Sequence, residues 1–190
     1  MTLTAVLPSL RRSIPDPLDH RLWPEHTVTA VDDVIVGAVS LVRLAQLEGT
    51  PCVMTGDLYH PKARDARARG VGTDVTVVVV RVMSLNGDNG RRGAAVDGRL
   101  AALPARWSEC RLIGRVSTVR PLPIELSGVD GDGPDTGHVD RTAAATCALP
   151  GDLREGDLLA IPCAGAASLH DVRARRAGAN VDDGGWRCGK

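Results

Sequence analysis

The sequence contains no phenylalanine, one tyrosine (Tyr59) and three tryptophans (Trp23, Trp107 and Trp186). A chain of 190 residues, 43% of them apolar, is long enough for one domain with a real core. With so few rings, that core must be packed by Val, Leu, Ala and Ile. Val and Ile suit the pleated, half-buried surface of a sheet, so the composition points to a β-rich fold. An excess of one charge is also missing, because 23 basic and 23 acidic residues give a net charge of zero. This excludes the basic footprint of a nucleic-acid binder. Lysine is nearly absent: Lys62 and Lys190 stand alone among arginines. Long apolar runs are lacking too. Thr2 to Leu7 is interrupted by Pro8 and Arg11-Arg12, and no run approaches membrane-spanning length. The five cysteines (Cys52, Cys110, Cys147, Cys163 and Cys188) include no CxxC pair, so neither a disulfide framework nor a zinc site is expected. The expectation is a cytoplasmic protein with free thiols, no bound metal, and neither nucleic acid nor membrane as partner.

The chain is punctuated by turns. Residues 1–26 are rich in Pro and Arg with little periodicity and read as an extended arm. Thr27 to Val42 is strand-like around a turn at Asp32-Asp33, and Ser40 is placed to cap a short helix reaching Leu47. Cys52-Val53-Met54 reads as a short strand. Val75 to Met83 (VTVVVVRVM) is the clearest strand, and its continuous β-branched run predicts burial on both faces. Asn86 to Gly93 is a turn, from which Ala94-Ala95-Val96 returns. Arg111 to Val116 and Ile124 to Leu126 are further short strands, and residues 127–137 form an acidic loop. Leu158 to Ile161 is an apolar run too short for a helix, with Pro162 as its expected stop. Many short strands with turn punctuation predict a barrel or sandwich.

Two groups of motifs resemble actinobacterial diaminopimelate decarboxylases. At the start stand Leu7-Pro8-Ser9-Leu10, Leu22-Trp23-Pro24, Gly37-Ala38-Val39-Ser40-Leu41 and Glu48-Gly49-Thr50-Pro51-Cys52-Val53. In the second half, Val96-Asp97-Gly98 is similar to the family's VDGG, and Leu112-Ile113-Gly114-Arg115-Val116-Ser117 to its LVGRVS. Leu149 to Ala166 is similar to its LPxDLRPGDLLAVxxTGA. The arginine-rich composition fits the same GC-rich, actinobacterial source. The family combines a (β/α)₈ barrel that holds pyridoxal phosphate (PLP) with a β-barrel made from a short N-terminal and a long C-terminal piece. This chain keeps both β-barrel pieces and lacks nearly everything between them. The resemblance therefore implies a mainly β fold: a single β-barrel like the C-terminal domain of these decarboxylases and of alanine racemase, with one or two short helices. The expected divisions are an arm over 1–26, a barrel over 27–171 with 57–72 as a remnant helix or linker, and an Arg/Gly-rich tail over 172–190.

The departures from the family remove its chemistry. The Schiff-base lysine and the phosphate cradle belong to the missing barrel. Tyr59-His60-Pro61-Lys62-Ala63 is a poor match to the lysine motif, because Pro61 would interrupt the strand required there. The family's C-E-S-G-D falls on Gly137-His138-Val139-Asp140-Arg141. Its G-A-Y is Gly165-Ala166-Ala167, and its R-P-A-L-Y-G region shrinks to Leu103-Pro104-Ala105-Arg106-Trp107. The expectation is no PLP chemistry and no cofactor.

Four residues are candidates for a replacement site. His138 and His170 have acid–base potential near neutrality, set against a plain reading as surface loop histidines. Cys163, which with Cys147 flanks the Leu149 stretch, is a candidate nucleophile or a small apolar filler. Trp107 is a candidate pocket wall or a core residue. Asp130, Asp132 and Asp135 lack the distal Glu of a calcium loop. Arg173, Arg175 and Arg176 read as an anion site or a solvated tail. Two functions follow. One is a cofactor-free small-molecule-binding protein or enzyme, of cyclisation or isomerisation type, in specialised metabolism. The other is a non-catalytic dimerising or regulatory module, since the family's active sites form at a dimer interface. A small-molecule ligand and a homodimer are the expected partners.

Overall fold

The computed structural model describes residues 3–58, 74–88, 91–101, 103–128 and 145–173. The strands are β1 (Thr27–Thr29), β2 (Val34–Val36), β3 (Val39–Ser40), β4 (Cys52–Asp57), β5 (Asp74–Asp88), β6 (Arg91–Val96), β7 (Arg111–Ile113), β8 (Pro121–Gly128), β9 (Ala145–Pro150) and β10 (Leu158–Ala164). The helices are α1 (Leu3–Val6), α2 (Leu41–Glu48) and α3 (Leu169–Val172). The main sheet runs β7-β10-β5-β6-β8-β9, with β4 on β5, and it curls into a nearly closed barrel whose ends are β7 and β9. Only its β6–β8 pairing is parallel. The fold is the mainly β barrel that composition and motifs predict.

β5 is the spine. Its first half lies between β4 and β10, and its second half pairs with β6. The register shifts between Val82 and Ser84, so Met83 is the extra residue of a bulge. A bulge bends a strand and increases its twist, which lets one long strand serve two parts of a curled sheet. Alternation then assigns the side chains. Val78, Val80 and Val82 point into the barrel with Leu159, Ile161, Ile124, Leu126 and Leu149. Val77 and Val79 point outward, into a second core with Trp23, Val34, Val36, Leu41, Ile113 and Ala160. The β-branched run is therefore buried on both faces, as its pattern predicts.

The second core is roofed by the β1-β2-β3 sheet and α2. Ser40 caps α2 as expected, its hydroxyl accepting from the Arg43 amide at 3.0 Å. Asp33 ties the same corner by accepting from the amides of Val34 and Val42. The segment read as an extended arm is more structured than that. It contains α1 and a 3-10 turn at Pro8–Arg12, and Trp23 is fully buried.

Pro162 does not stop its strand. β10 continues to Ala164, with Pro162 opposite Val77 of β5. Pairing with β7 covers only Leu158 to Ala160, and the Pro162 carbonyl accepts from the Arg106 amide at 2.7 Å on that far side. The N–H that proline lacks would thus point away from β5, past the end of β7, so the long ladder loses nothing. The helix or linker over 57–72, Lys62, most of the acidic loop with Asp130, Asp132 and Asp135, and the tail beyond Arg173 lie outside the described residues, apart from Asp57 and Leu58 at the end of β4.

Gly128 closes β8 against the loop after β6. A Cβ there would lie 2.5 Å from the Gly98 carbonyl oxygen and 3.0 Å from the Leu100 nitrogen, both backbone atoms. Gly128→Ala is therefore expected to lower stability by about 2–3 kcal/mol or more, read as a reduced urea midpoint.

Candidate functional site

Among the described residues the barrel interior is packed with apolar side chains. The opening is at the seam, where β7 and β9 face each other without a ladder. A cleft of about 220 Å³ lies there, bordered by Arg11, Asp16, Glu109, Arg111, Arg115 and Ala148. Its apolar lining is Leu112, Val116 and Pro121, each half-buried, with Leu149 and Pro150 buried. The N-terminal segment crosses the seam and supplies Arg11, Asp16 and Pro17.

Glu109 is the hub. It ends the 3-10 turn Trp107–Glu109 that precedes β7. One of its oxygens, Oε2, accepts from Trp23 Nε1 at 2.9 Å, Arg111 Nη2 at 2.9 Å and the Asp19 amide at 3.3 Å. The Arg111 guanidinium stands 5.2 Å from the Trp23 ring centroid, a cation–π contact. It also donates to the carbonyls of Asp16 at 3.1 Å and Pro17 at 3.3 Å. Burial pushes the Arg111 pKa down, with Glu109 and Asp16 acting against that shift. The far wall is Arg115. It grips Asp157 with Nε and Nη2, both at 2.7 Å, and Asp152 through Nη1 at 3.2 Å. Bidentate pairing of this kind fixes the orientation of the guanidinium plane. Arg11 is held least: Nη1 donates to the Val119 carbonyl at 3.4 Å, and Nε lies 2.9 Å from Asp16 Oδ2.

The four residues named from sequence do not meet at this cleft. His138 lies outside the described residues. His170 is exposed on α3. Cys163 is buried in the barrel, where its thiol donates to the Ile161 carbonyl at 3.7 Å and burial pushes its pKa up to about 12. Its burial and raised pKa are those expected of a small side chain packed in the core. Trp107 is half-buried and packs on the barrel core. Cys147 and Cys110 lie in the same barrel core. The neighbouring Cys147 thiol and burial push the Cys110 thiol well up. Among the described residues no group of three or more His, Cys, Asp or Glu side chains is arranged to hold a metal ion. No helix is long and apolar enough to cross a membrane.

The corner after β10 carries Gly165-Ala166-Ala167. A phosphate cradle needs unengaged backbone N–H groups. Here the Gly165 amide donates to the Asp74 carbonyl at 2.9 Å, the Ala164 amide to that of Pro104 at 3.0 Å, and the Ala167 amide to Thr76 Oγ1 at 2.9 Å. Arg21 and Arg106 border the hollow, but its volume is only about 150 Å³ and Asp74 shares its wall.

No protein-family model matches the chain, and no curated protein matches it. Solved structures do. One is the arginine decarboxylase of Paramecium bursaria Chlorella virus, at 16% identity and a TM-score of 0.33, covering 53% of this chain and 29% of that one. Another is a diaminopimelate decarboxylase, at 16% identity and a TM-score of 0.34, covering 57% of this chain and 33% of that one. Both are decarboxylases. The chain spans a third or less of their length.

Glu109, Arg111 and Arg11 were not legible as a group in the sequence. Arg11 is separated from Val119 by 108 positions, and Glu109 from Trp23 by 86. The one local signal was Glu109 and Arg111 flanking a cysteine in WSECRL, a charge pair two residues apart.

Proposed function

We propose that this protein is a small-molecule-binding β-barrel that works without PLP, its ligand seated in the cleft at the open seam. The observation that carries the reading is the cleft itself. It lies between β7 and β9, walled by charged side chains held in defined geometry beside a few partly exposed apolar ones. A few fixed polar groups over an apolar surface is the usual make-up of a ligand site. The sequence motifs support descent from a decarboxylase barrel, and Ala167 in place of the family's G-A-Y tyrosine supports loss of the cofactor. A cyclisation or isomerisation of the bound molecule would be promoted by holding it in its reactive shape. A homodimer remains part of the proposal, because Leu3, Val6 and Leu7 expose apolar side chains around α1.

The test uses Ala148, an exposed residue on β9 at the rim of the cleft. A set of small neutral, cationic and anionic aromatic fragments is screened by ligand-observed NMR against the full chain and against Ala148→Trp. The indole is expected to fill the cleft and lower the affinity of bound fragments at least about tenfold, with far-UV circular dichroism unchanged. Fragments that bind both proteins equally would overturn the seam as the site.

A further inference from the structure

We infer that the seam cleft is a site for a small carboxylic acid with an apolar body, its carboxylate taken by Arg11 and Arg111, and that Asp16 is a built-in competitor for that position. The inference rests on the reading above that the cleft holds the ligand. Arg11 is the least firmly held of these cations. Its side chain is only 11% exposed, and among the described residues its in-line hydrogen bond is the 3.4 Å contact to the Val119 carbonyl, beside the ion pair with Asp16. The Nε–H is buried and has no acceptor in line among the described residues, although Asp16 Oδ2 is 2.9 Å away. Arg111 repeats the pattern. Its terminal nitrogens are engaged, but its Nε–H is also buried without an acceptor among the described residues. Two residues bordering one cleft of about 220 Å³ thus each bury a guanidinium N–H with no in-line acceptor among the described residues. Leaving such a donor unmade is costly, and bonds to an ionised oxygen are the strongest remedy.

The rest of the wall sets the class of anion. Asp16 and Glu109 already place two carboxylates at the rim, so a dianion such as phosphate meets like-charge repulsion that a monoanion halves. Asp16 is 43% exposed, so it can turn to water and yield to an arriving carboxylate of the same shape and charge. The half-buried Leu112, Val116 and Pro121 then receive the apolar body.

The probes are benzoate, benzamide and inorganic phosphate, titrated into the full-length protein by isothermal calorimetry and followed by amide shifts in NMR. Benzoate is expected to bind and saturate, with benzamide and phosphate each weaker by about tenfold. Arg11→Gln should weaken benzoate about tenfold, and Asp16→Asn should strengthen it several-fold. Arg12→Gln, at an exposed neighbour, should change it less than twofold. Should Arg11→Gln fail to fold, Asp16→Asn and the loss of benzoate affinity with added salt carry the same test. Benzamide binding as well as benzoate, with both blocked by Ala148→Trp, overturns the carboxylate site and leaves the seam reading standing. Phosphate binding more tightly than benzoate overturns the monoanion class. Benzoate binding unaffected by Ala148→Trp overturns both readings, and no binding of benzoate overturns this one.

Discussion

Replacing Asp157 by Asn is expected to lower stability by about 3 kcal/mol, the lower end of the range for breaking a buried ion pair. The side chain is 5% exposed and is gripped by Arg115 at two points, while its Oδ2 also accepts from the Arg154 amide at 2.9 Å. Asn keeps the shape but turns one acceptor into a donor facing a guanidinium. The lower end applies because Arg115 retains Asp152 and is itself 18% exposed. In a chain of this length that cost corresponds to a fall of about 6–12 °C in Tm. A urea titration should show a lower midpoint with an unchanged slope. Arg115→Met combined with Asp157→Asn should cost less than the two changes added together, because each single change strands the other partner. A loss below about 1 kcal/mol would mean that the pair contributes little here.

The same network gives a sign for pH. Partial burial disfavours ionised Asp152, but the Ser117 hydroxyl and the Arg115 guanidinium outweigh it and hold the carboxyl below its ordinary value. A folded pKa below the unfolded one adds stability that is fully present above the unfolded value. That stability is lost as pH falls through the folded value, so acid should weaken the β7–β10 corner first.

Trp23→Ala should have the largest effect of any single truncation at the seam, about 3–5 kcal/mol. Trp23 is fully buried in the second core and carries the indole N–H that orients Glu109. Its removal opens a cavity, unpairs one donor of the hub and strips the ring from beneath Arg111. Trp23→Phe separates these contributions. It keeps most of the volume and loses the N–H, so it should cost about 1–2 kcal/mol. Limited proteolysis gives an independent readout: Trp23→Ala should speed cleavage within residues 8–22, since that segment loses its anchor, while β5 and β10 stay protected. Equal stability of Trp23→Ala and the parent protein would remove Trp23 as the clamp.

What could be read in the sequence follows a clear division. The β5 run and the Ser40 cap were legible because each depends on near neighbours: a continuous β-branched run, and a hydroxyl three positions from an amide. The stretch read as a turn over Asn86 to Gly93 is mostly strand, since β5 continues to Asp88 and β6 begins at Arg91 with Asn86 opposite Gly93, a pairing that local Gly and Asn content does not reveal. Pro162 was misread because the cost of a proline depends on which side of the strand its nitrogen faces, and only pairing determines that. Cys163 was read as either nucleophile or filler. The choice turns on burial, which a five-residue stretch of small side chains does not reveal.

By itself the sequence determined a β-rich fold with a Val- and Leu-packed core, and a set of motifs like those of a decarboxylase barrel without its lysine. Period-two alternation and turn residues act over a few positions and survive in the linear order. Tertiary structure alone decided where the barrel stays open and what lies across the gap. Arg111 meets the Asp16 carbonyl across 95 positions and Arg11 meets Val119 across 108, so the seam exists only once the sheet has curled and the N-terminal segment has folded back over it.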